Sequence, residues 1–303
     1  MPPRADASAQ QIALAGAVVA IGAGDIAVCG TRGDEATAAI VDSILVTDSV
    51  AKVETVVFTL GDNAYPSGSG GRFNTFLRCF KPSWGDPRIF KVIRPSPGNH
   101  DFEEQGGVGY YKYFGDRAGP PGLGYYSYDL GEWHVISLNS EIIDDQVLFQ
   151  EAAEQEDWLR KDLKDHPRKC TLAYFHQPLF SSGDFHGDAP AVAGLWKILF
   201  DEGVDLVLNG HEHHYERFIP QTPLGVPDSV TGIEEIIAGT GGAPLRGIRN
   251  PVEPNSAVQI HGYLGVLKLT LGTEEYQHAF LDTEGRVWDR GGRKCHDPPV
   301  PAR

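Results

Sequence analysis

Apolar, β-branched runs recur along the chain, and most of them stop at a small cluster of Gly with Asp, Asn or His. Residues 17–21 stop at Gly24-Asp25, residues 53–60 at Gly61-Asp62, and residues 89–94 at Pro97-Gly98-Asn99-His100-Asp101. Residues 171–175 deliver His176, and residues 204–208 lead into Asn209-Gly210-His211-Glu212-His213-His214-Tyr215. Continuous apolar runs of this length predict strands buried on both faces, as in parallel sheets. Residues 35–50 carry Ala36, Ile40, Ile44 and Leu45 at helical spacing, and residues 146–164 and 189–200 predict two more helices. Residues 73–80 predict a short helix. Residues 125–130 and 133–138 alternate around Gly131 and predict an antiparallel hairpin; residues 234–238, 263–271 and 276–281 predict a strand-rich end. The Gly- and Pro-rich residues 102–124, with Tyr110, Tyr111, Tyr113 and Phe114, read as an elaborated surface loop. Strands alternating with helices imply parallel pairs with helical crossovers. The expected organisation is a flexible N-terminus over residues 1–10, a single α/β domain with mixed sheets over residues 11–290, and a tail over residues 291–303.

Composition narrows the partners. The chain has 303 residues, 41% of them hydrophobic and 22% charged, ordinary for a folded domain. Its formal net charge of -15 argues against a nucleic-acid scaffold or an anionic membrane surface, either of which needs a basic face. An anionic substrate would then need a strong local positive centre, such as bound metal. Cys29, Cys79, Cys170 and Cys295 are far apart and form no CxxC pair, which leaves room for one or two disulfides and argues against a zinc ribbon. Residues 12–24 are apolar but run straight into a strand, so neither a signal peptide nor a membrane span is expected in this chain.

The chemistry sits at the ends of the runs: Asp25, Asp62 with Tyr65, Asn99 with His100, His176, and His211 with His213. Singly each has a plainer reading, since Gly-Asp after a strand is usually a turn and a histidine before Gln-Pro can be a satisfied core residue. Five such units at five strand ends supply enough oxygen and nitrogen ligands for two metal ions, and a thiolate-free set suits iron, manganese or zinc.

The order Gly24-Asp25, Gly61-Asp62-x-x-Tyr65, Gly98-Asn99-His100-Asp101, His176 and Gly210-His211-x-His213 resembles the motif series of the calcineurin-like metallophosphoesterases. Tyr65, three residues after the second Asp, resembles the purple acid phosphatase branch, and Gly239-Thr240-Gly241-Gly242 is similar to a later glycine loop of that branch. The resemblance implies a four-layer αββα sandwich of two mixed sheets flanked by helices. It implies one metal on Asp25, Asp62, Tyr65 and His213, and a second on Asp62, Asn99, His176 and His211, with Asp62 as the bridge. A phenol of ordinary pKa about 10 ionises near neutrality only beside a strong Lewis acid, which favours Fe(III) at the Tyr65 site; the other site would take Fe(II), Zn or Mn.

The same resemblance implies in-line attack on phosphorus by a hydroxide generated on the metals, with His100 and His186 binding phosphate or protonating the leaving group. Phe185 stands where the branch has the first histidine of a pair, leaving one fewer polar contact for the phosphate. The expected activity is hydrolysis of small-molecule phosphomonoesters. The alternatives are a phosphodiesterase acting on nucleotides or lipid headgroups and a non-hydrolytic metal-binding or redox protein. Proteins of this type are often exported; a cytoplasmic location is the alternative. Outside the site, His214 and Glu212 should face away from His213, Glu216 and Arg217 should form a structural pair, and Asp101 has two readings: orienting His100, or serving as a turn or cap. Residues 110–114 are either packing that ties down a loop or a wall of the substrate pocket.

Overall fold

The structure, a computed structural model, describes residues 14, 16–68, 74–103, 105–143 and 149–296. It opens with β1 (Val18–Ala23), the two-residue β2 (Ala27–Val28), α1 (Gly33–Ala51), β3 (Thr55–Leu60) and the short β4 (Ala64–Tyr65). β1 and β3 pair in parallel across α1, as the strand-helix-strand pattern requires. Ala38, Val41 and Leu45 are the buried stripe of α1.

Residues 89–94, expected as one strand, divide into α2 (Pro87–Val92) and β5 (Ile93–Ser96). The reason is local. The Asp86 side chain accepts from the Arg88 N–H at 2.9 Å and Pro87 occupies the first turn, a start signal that outweighs the β-branched composition. The following surface loop is also more ordered than its Gly content implies: it contains α3 (Asn99–Phe102) and α4 (Val108–Phe114). Tyr110 and Phe114, one helical turn apart, are buried against Phe76, Phe80 and Phe90, so the aromatic cluster is core and α4 is anchored by it.

The hairpin β6 (Tyr126–Leu130) and β7 (Trp133–Ser137) forms around Gly131 as expected. Then come α5 (Phe149–Asp165), whose expected start at 146 lies outside the described residues, β8 (Cys170–Tyr174), α6 (Ala193–Asp201), β9 (Leu206–Asn209) and β10 (Tyr215–Phe218). The chain closes with β11 (Glu234–Ala238), β12 (Ser256–Ile260), β13 (Gly265–Leu271), β14 (Glu275–Asp282) and β15 (Val287–Lys294). The boundary expected at residue 290 falls inside β15, which extends to Lys294, and Cys295 is bridged to Cys170, so the sheet reaches into the segment read as a tail, whose residues 297–303 lie outside the described residues. A second disulfide joins Cys29 to Cys79.

Two mixed sheets result. One has the order β15-β14-β13-β1-β3-β5, the other β12-β10-β11-β9-β8-β7-β6. Their inner faces share one core, in which Val18, Phe58, Leu60, Leu267 and Phe280 meet Trp133, Leu172, Leu206, Tyr215 and Ile236. α1, α2 and α4 cover the first sheet around Ile21, Val57 and Ile93, while α5 and α6 cover the second around Ile136, Ala173 and Val207. This is the four-layer αββα sandwich. Among the described residues no helix is long and apolar enough to cross a membrane.

Candidate metal centre

β1, β3 and β5 are parallel in one sheet and β8 and β9 in the other, so five strand ends can open on one site. Three of the expected ligands sit on strained backbone: Asp25 (φ 59°), Asp62 (φ 48°) and His211 (φ 70°) occupy the left-handed region, which costs a non-glycine residue about 1–3 kcal/mol. Close packing enforces glycine beside them. A Cβ on Gly98 would stand 2.3 Å from the Asp62 nitrogen, and one on Gly210 would stand 2.5 Å from the Leu60 oxygen and 2.8 Å from Asp25 Oδ2.

Two overlapping clusters form. In the first, the Tyr65 oxygen lies 2.8 Å from Asp25 Oδ1, 2.8 Å from Asp62 Oδ2 and 3.1 Å from His213 Nε2. In the second, His176 Nε2 lies 3.4 Å from Asp62 Oδ1, 3.1 Å from Asn99 Oδ1 and 3.1 Å from His211 Nδ1. Asp62 belongs to both. The imidazoles are oriented from behind: His176 Nδ1 donates to the Leu60 carbonyl and His213 Nδ1 to the Pro244 carbonyl, each at 2.7 Å, which turns Nε2 toward the cluster and makes it the ligating nitrogen of the neutral ring. The other carboxylate oxygens are held too, Asp25 Oδ2 by the His211 N–H at 2.9 Å and Asp62 Oδ1 by the His100 N–H at 2.8 Å.

The donor set fits cations. Asp25 and Asp62 are buried within reach of one another. Tyr65 has one proton for two carboxylates at equal distance, so hydrogen bonding alone leaves one short O···O contact without a proton. Burial pushes the Asp25 and Asp62 carboxyls up, but His213 beside Asp25, and His176 and His100 beside Asp62, hold both below the usual carboxylate range. His176 is opposed by its own burial yet drawn up to about 10 by Asp62 and Asp25. Burial and the two carboxylates raise the Tyr65 phenol well above its ordinary value, so a phenolate here needs a cation.

Around these clusters lies a cavity of about 550 Å³ lined by Tyr65, His100, His213, Phe185 and Arg246 among others. His100 stands at its edge with Nε2 3.9 Å from Asp62 Oδ2, its Nδ1 being engaged by the Pro66 carbonyl and, at 3.1 Å, by Glu103. His186 stacks on His211 with ring centroids 4.0 Å apart. Burial, then the charges of Arg246, His213 and His176, lower its pKa to about 4. All nine expected site residues are thus gathered at one place.

Several surrounding residues differ from expectation. Glu212 does face away from the ligands, but its Oε1 accepts the His186 and Gly187 N–H groups at 2.9 and 2.6 Å and so pins the loop that presents His186. His214, expected to face away from His213, is buried behind the ligands and meets Glu216 at 3.0 Å. Glu216 and Arg217 do not pair, because neighbours on β10 point to opposite faces; Arg217 binds Asp289 at 2.7 Å. Asp101 is a cap, accepting the Gly98 N–H at 3.0 Å and both nitrogens of Asn63. The aromatic residues 110–114 do not line the cavity. Arg246 is new: it lies four residues beyond the Gly239-Thr240-Gly241-Gly242 stretch, in the same loop, and no sequence signal marked it.

Residues 21–215 match the family model described as calcineurin-like phosphoesterase. The chain belongs to the calcineurin-like phosphoesterase family. Within that family, the similarity runs to the purple acid phosphatases. An uncharacterized protein of Mycobacterium tuberculosis is 30% identical over 221 residues, covering 60% of this chain and 41% of that protein. Purple acid phosphatase 15 of Arabidopsis thaliana is 33% identical over 132 residues, covering 40% and 24%. The chain therefore spans less than half the length of either relative. Among solved structures, purple acid phosphatase PPD1 of yellow lupin superposes with a TM-score of 0.75 at 19% identity, over 92% of this chain and 54% of that one. GAP50, the anchor in the inner membrane complex of Plasmodium, gives the same TM-score at 15% identity, over 94% and 90%. The αββα sandwich is thus shared by a phosphatase and by a protein described as an anchor, so activity has to be argued from the site.

Proposed function

We propose that the chain is a metal-dependent hydrolase of small-molecule phosphomonoesters. The observation that carries this reading is the pair of ligand clusters that share Asp62. Asp25, Asp62, Tyr65 and His213 would hold Fe(III); Asp62, Asn99, His176 and His211 would hold Fe(II), Zn or Mn. When bound, the ions supply Lewis acidity toward the phosphoryl oxygens and a water acidic enough to attack near neutral pH.

The chain's own residues do the rest. Asp62, with its two oxygens turned to different clusters, would be the ligand common to both ions. The Leu60 and Pro244 carbonyls hold the two imidazoles in the ligating tautomer. His100 keeps Nε2 toward the site, where it can meet a phosphoryl oxygen or deliver a proton to the leaving group. His186, set by Glu212 beneath its loop, offers a ring N–H to the same group. Val28, Pro66, Phe185 and Leu245 give the cavity an apolar wall. Two disulfides support an exported protein, since such bonds persist in oxidising compartments.

Metal analysis joined to an ester panel tests the reading. The metal-loaded protein should bind two ions per chain and cleave monoesters, and Asp62→Asn should lose both ions and at least about a thousandfold in kcat/KM. A loaded protein that cleaves no phosphate ester over a broad pH range would sink the proposal.

A further inference from the structure

Several arginines of this acidic chain are matched to carboxylates. Arg88 pairs with Asp42 at 2.7 Å, Arg168 with Asp129 at 2.6 Å, Arg217 with Asp289 at 2.7 Å and Arg286 with Asp282 at 3.3 Å. Among the described residues, no carboxylate lies within ion-pair distance of Arg246. It is also the one with a fixed positive charge among the described residues that line the cavity.

The guanidinium is held in place rather than left to swing. Its carbon lies 4.1 Å from the Phe185 ring centroid, and Nη1 is 3.0 Å from His186 Nδ1. The Arg246 N–H donates to the His213 carbonyl at 3.0 Å. Its loop is joined to the Phe185 loop by the Gly183–Ile248 bridge, by the Arg249 N–H to the Ser182 carbonyl at 2.8 Å, and by the Gly247 N–H to Asp184 Oδ1 at 3.2 Å. A guanidinium has five N–H donors, and stacking on an aromatic face leaves those at its edge free. Through its main chain Arg246 touches the first cluster, and through His186, stacked on His211, it reaches the second.

We propose that Arg246 binds the phosphoryl oxygens and makes this site select monoester dianions over diester monoanions. The inference rests on the phosphatase reading above. Phe185 offers no hydrogen bond where it lines the cavity, and the cation stacked over it supplies one. A monoester near neutrality carries close to two charges on three free oxygens, against one charge on two in a diester, so a fixed fork of donors favours the monoester.

Three measurements decide it: equilibrium binding of inorganic phosphate to the metal-loaded protein by calorimetry, and kcat/KM on phenyl phosphate and on diphenyl phosphate. In Arg246→Ala, phosphate binding and monoester kcat/KM should each fall roughly ten- to a hundredfold, and the diester should fall clearly less. Arg246→Lys should lie between, because an ammonium keeps the charge without the fork. Equal loss on both esters, or unchanged phosphate binding, overturns the assignment. If the wild type cleaves neither ester, the phosphatase reading fails by itself; the phosphate-binding arm then decides Arg246 alone, and undiminished binding by Arg246→Ala overturns it. Thermal unfolding of each variant checks folding, with Arg246→Gln as the substitute should Arg246→Ala unfold.

Discussion

Tyr65 shows how much one side chain carries here. Its oxygen is the point where Asp25, Asp62 and His213 come within 3.1 Å, and it is the group that separates a phenolate-bound ion from an ordinary carboxylate site. Under the proposed Fe(III) assignment the loaded protein should absorb visible light through tyrosinate-to-iron charge transfer. Tyr65→Phe should abolish that band while the ion of the second cluster stays bound, which absorption spectra with metal analysis will show. A colourless wild type with zinc or manganese in both places overturns the iron assignment and leaves hydrolysis standing.

At the scale of elements, a polar tie fastens α5 to the second sheet away from the metal centre. His134 on β7 is buried, with Nε2 2.8 Å from Asp162 on α5 and Nδ1 3.1 Å from Asp129 on β6. His134 loses from burial, but Asp162 and Asp129 raise its pKa above the ordinary 6.5. Asp162 is likewise disfavoured by burial and brought below 3.8 by His134 and Ser127. The signs set a window. The histidine's contribution is fully present below pH 6.5 and is lost as pH rises through its raised value. That of Asp162 is present above 3.8 and is lost as pH falls through its lowered value. His134→Gln should therefore cost roughly 1–3 kcal/mol in urea unfolding between those two values, and the gap from wild type should narrow on either side. A gap that does not change with pH would show that the pair contributes only through packing. His166, stacked on His134 at 4.9 Å, completes the cluster.

For the whole molecule, metal binding and folding are one equilibrium, because ions that bind only the folded chain add to its stability. Asp25 and Asp62 come from different loops of one sheet, His176, His211 and His213 from the other, so cations at this point clamp the two sheets at their shared edge. Stripping the ions with a chelator should lower the unfolding midpoint by on the order of ten degrees, and restoring them should recover it in calorimetry. An unchanged midpoint would mean that nothing is held there. The Cys170–Cys295 disulfide acts elsewhere, binding the end of the first sheet to β8 across a sequence separation of 125, whereas Cys29 of the other disulfide lines the cavity itself.

The candidate ligands, their strand-end positions and the alternation of strands with helices were legible in the chain because each depends on short-range pattern, whereas the four-layer αββα arrangement came from the family resemblance. An apolar run ended by Gly and a polar residue describes a buried strand and its loop within a few positions. The local start signal at Asp86-Pro87 shows where pattern reading gave way, since a cap overrode the β-branched run behind it. Only the tertiary structure decided which atoms meet. Tyr65 and His213 are 148 residues apart, Asp25 and His211 are 186 apart, and the carbonyls that orient His176 and His213 have no side chain to betray them. Glu212 and Arg246 belong to the same class. Their roles arise from a loop crossing beneath one and beside the other, and such long-range approach is set by how two sheets pack, which no local run of residues encodes.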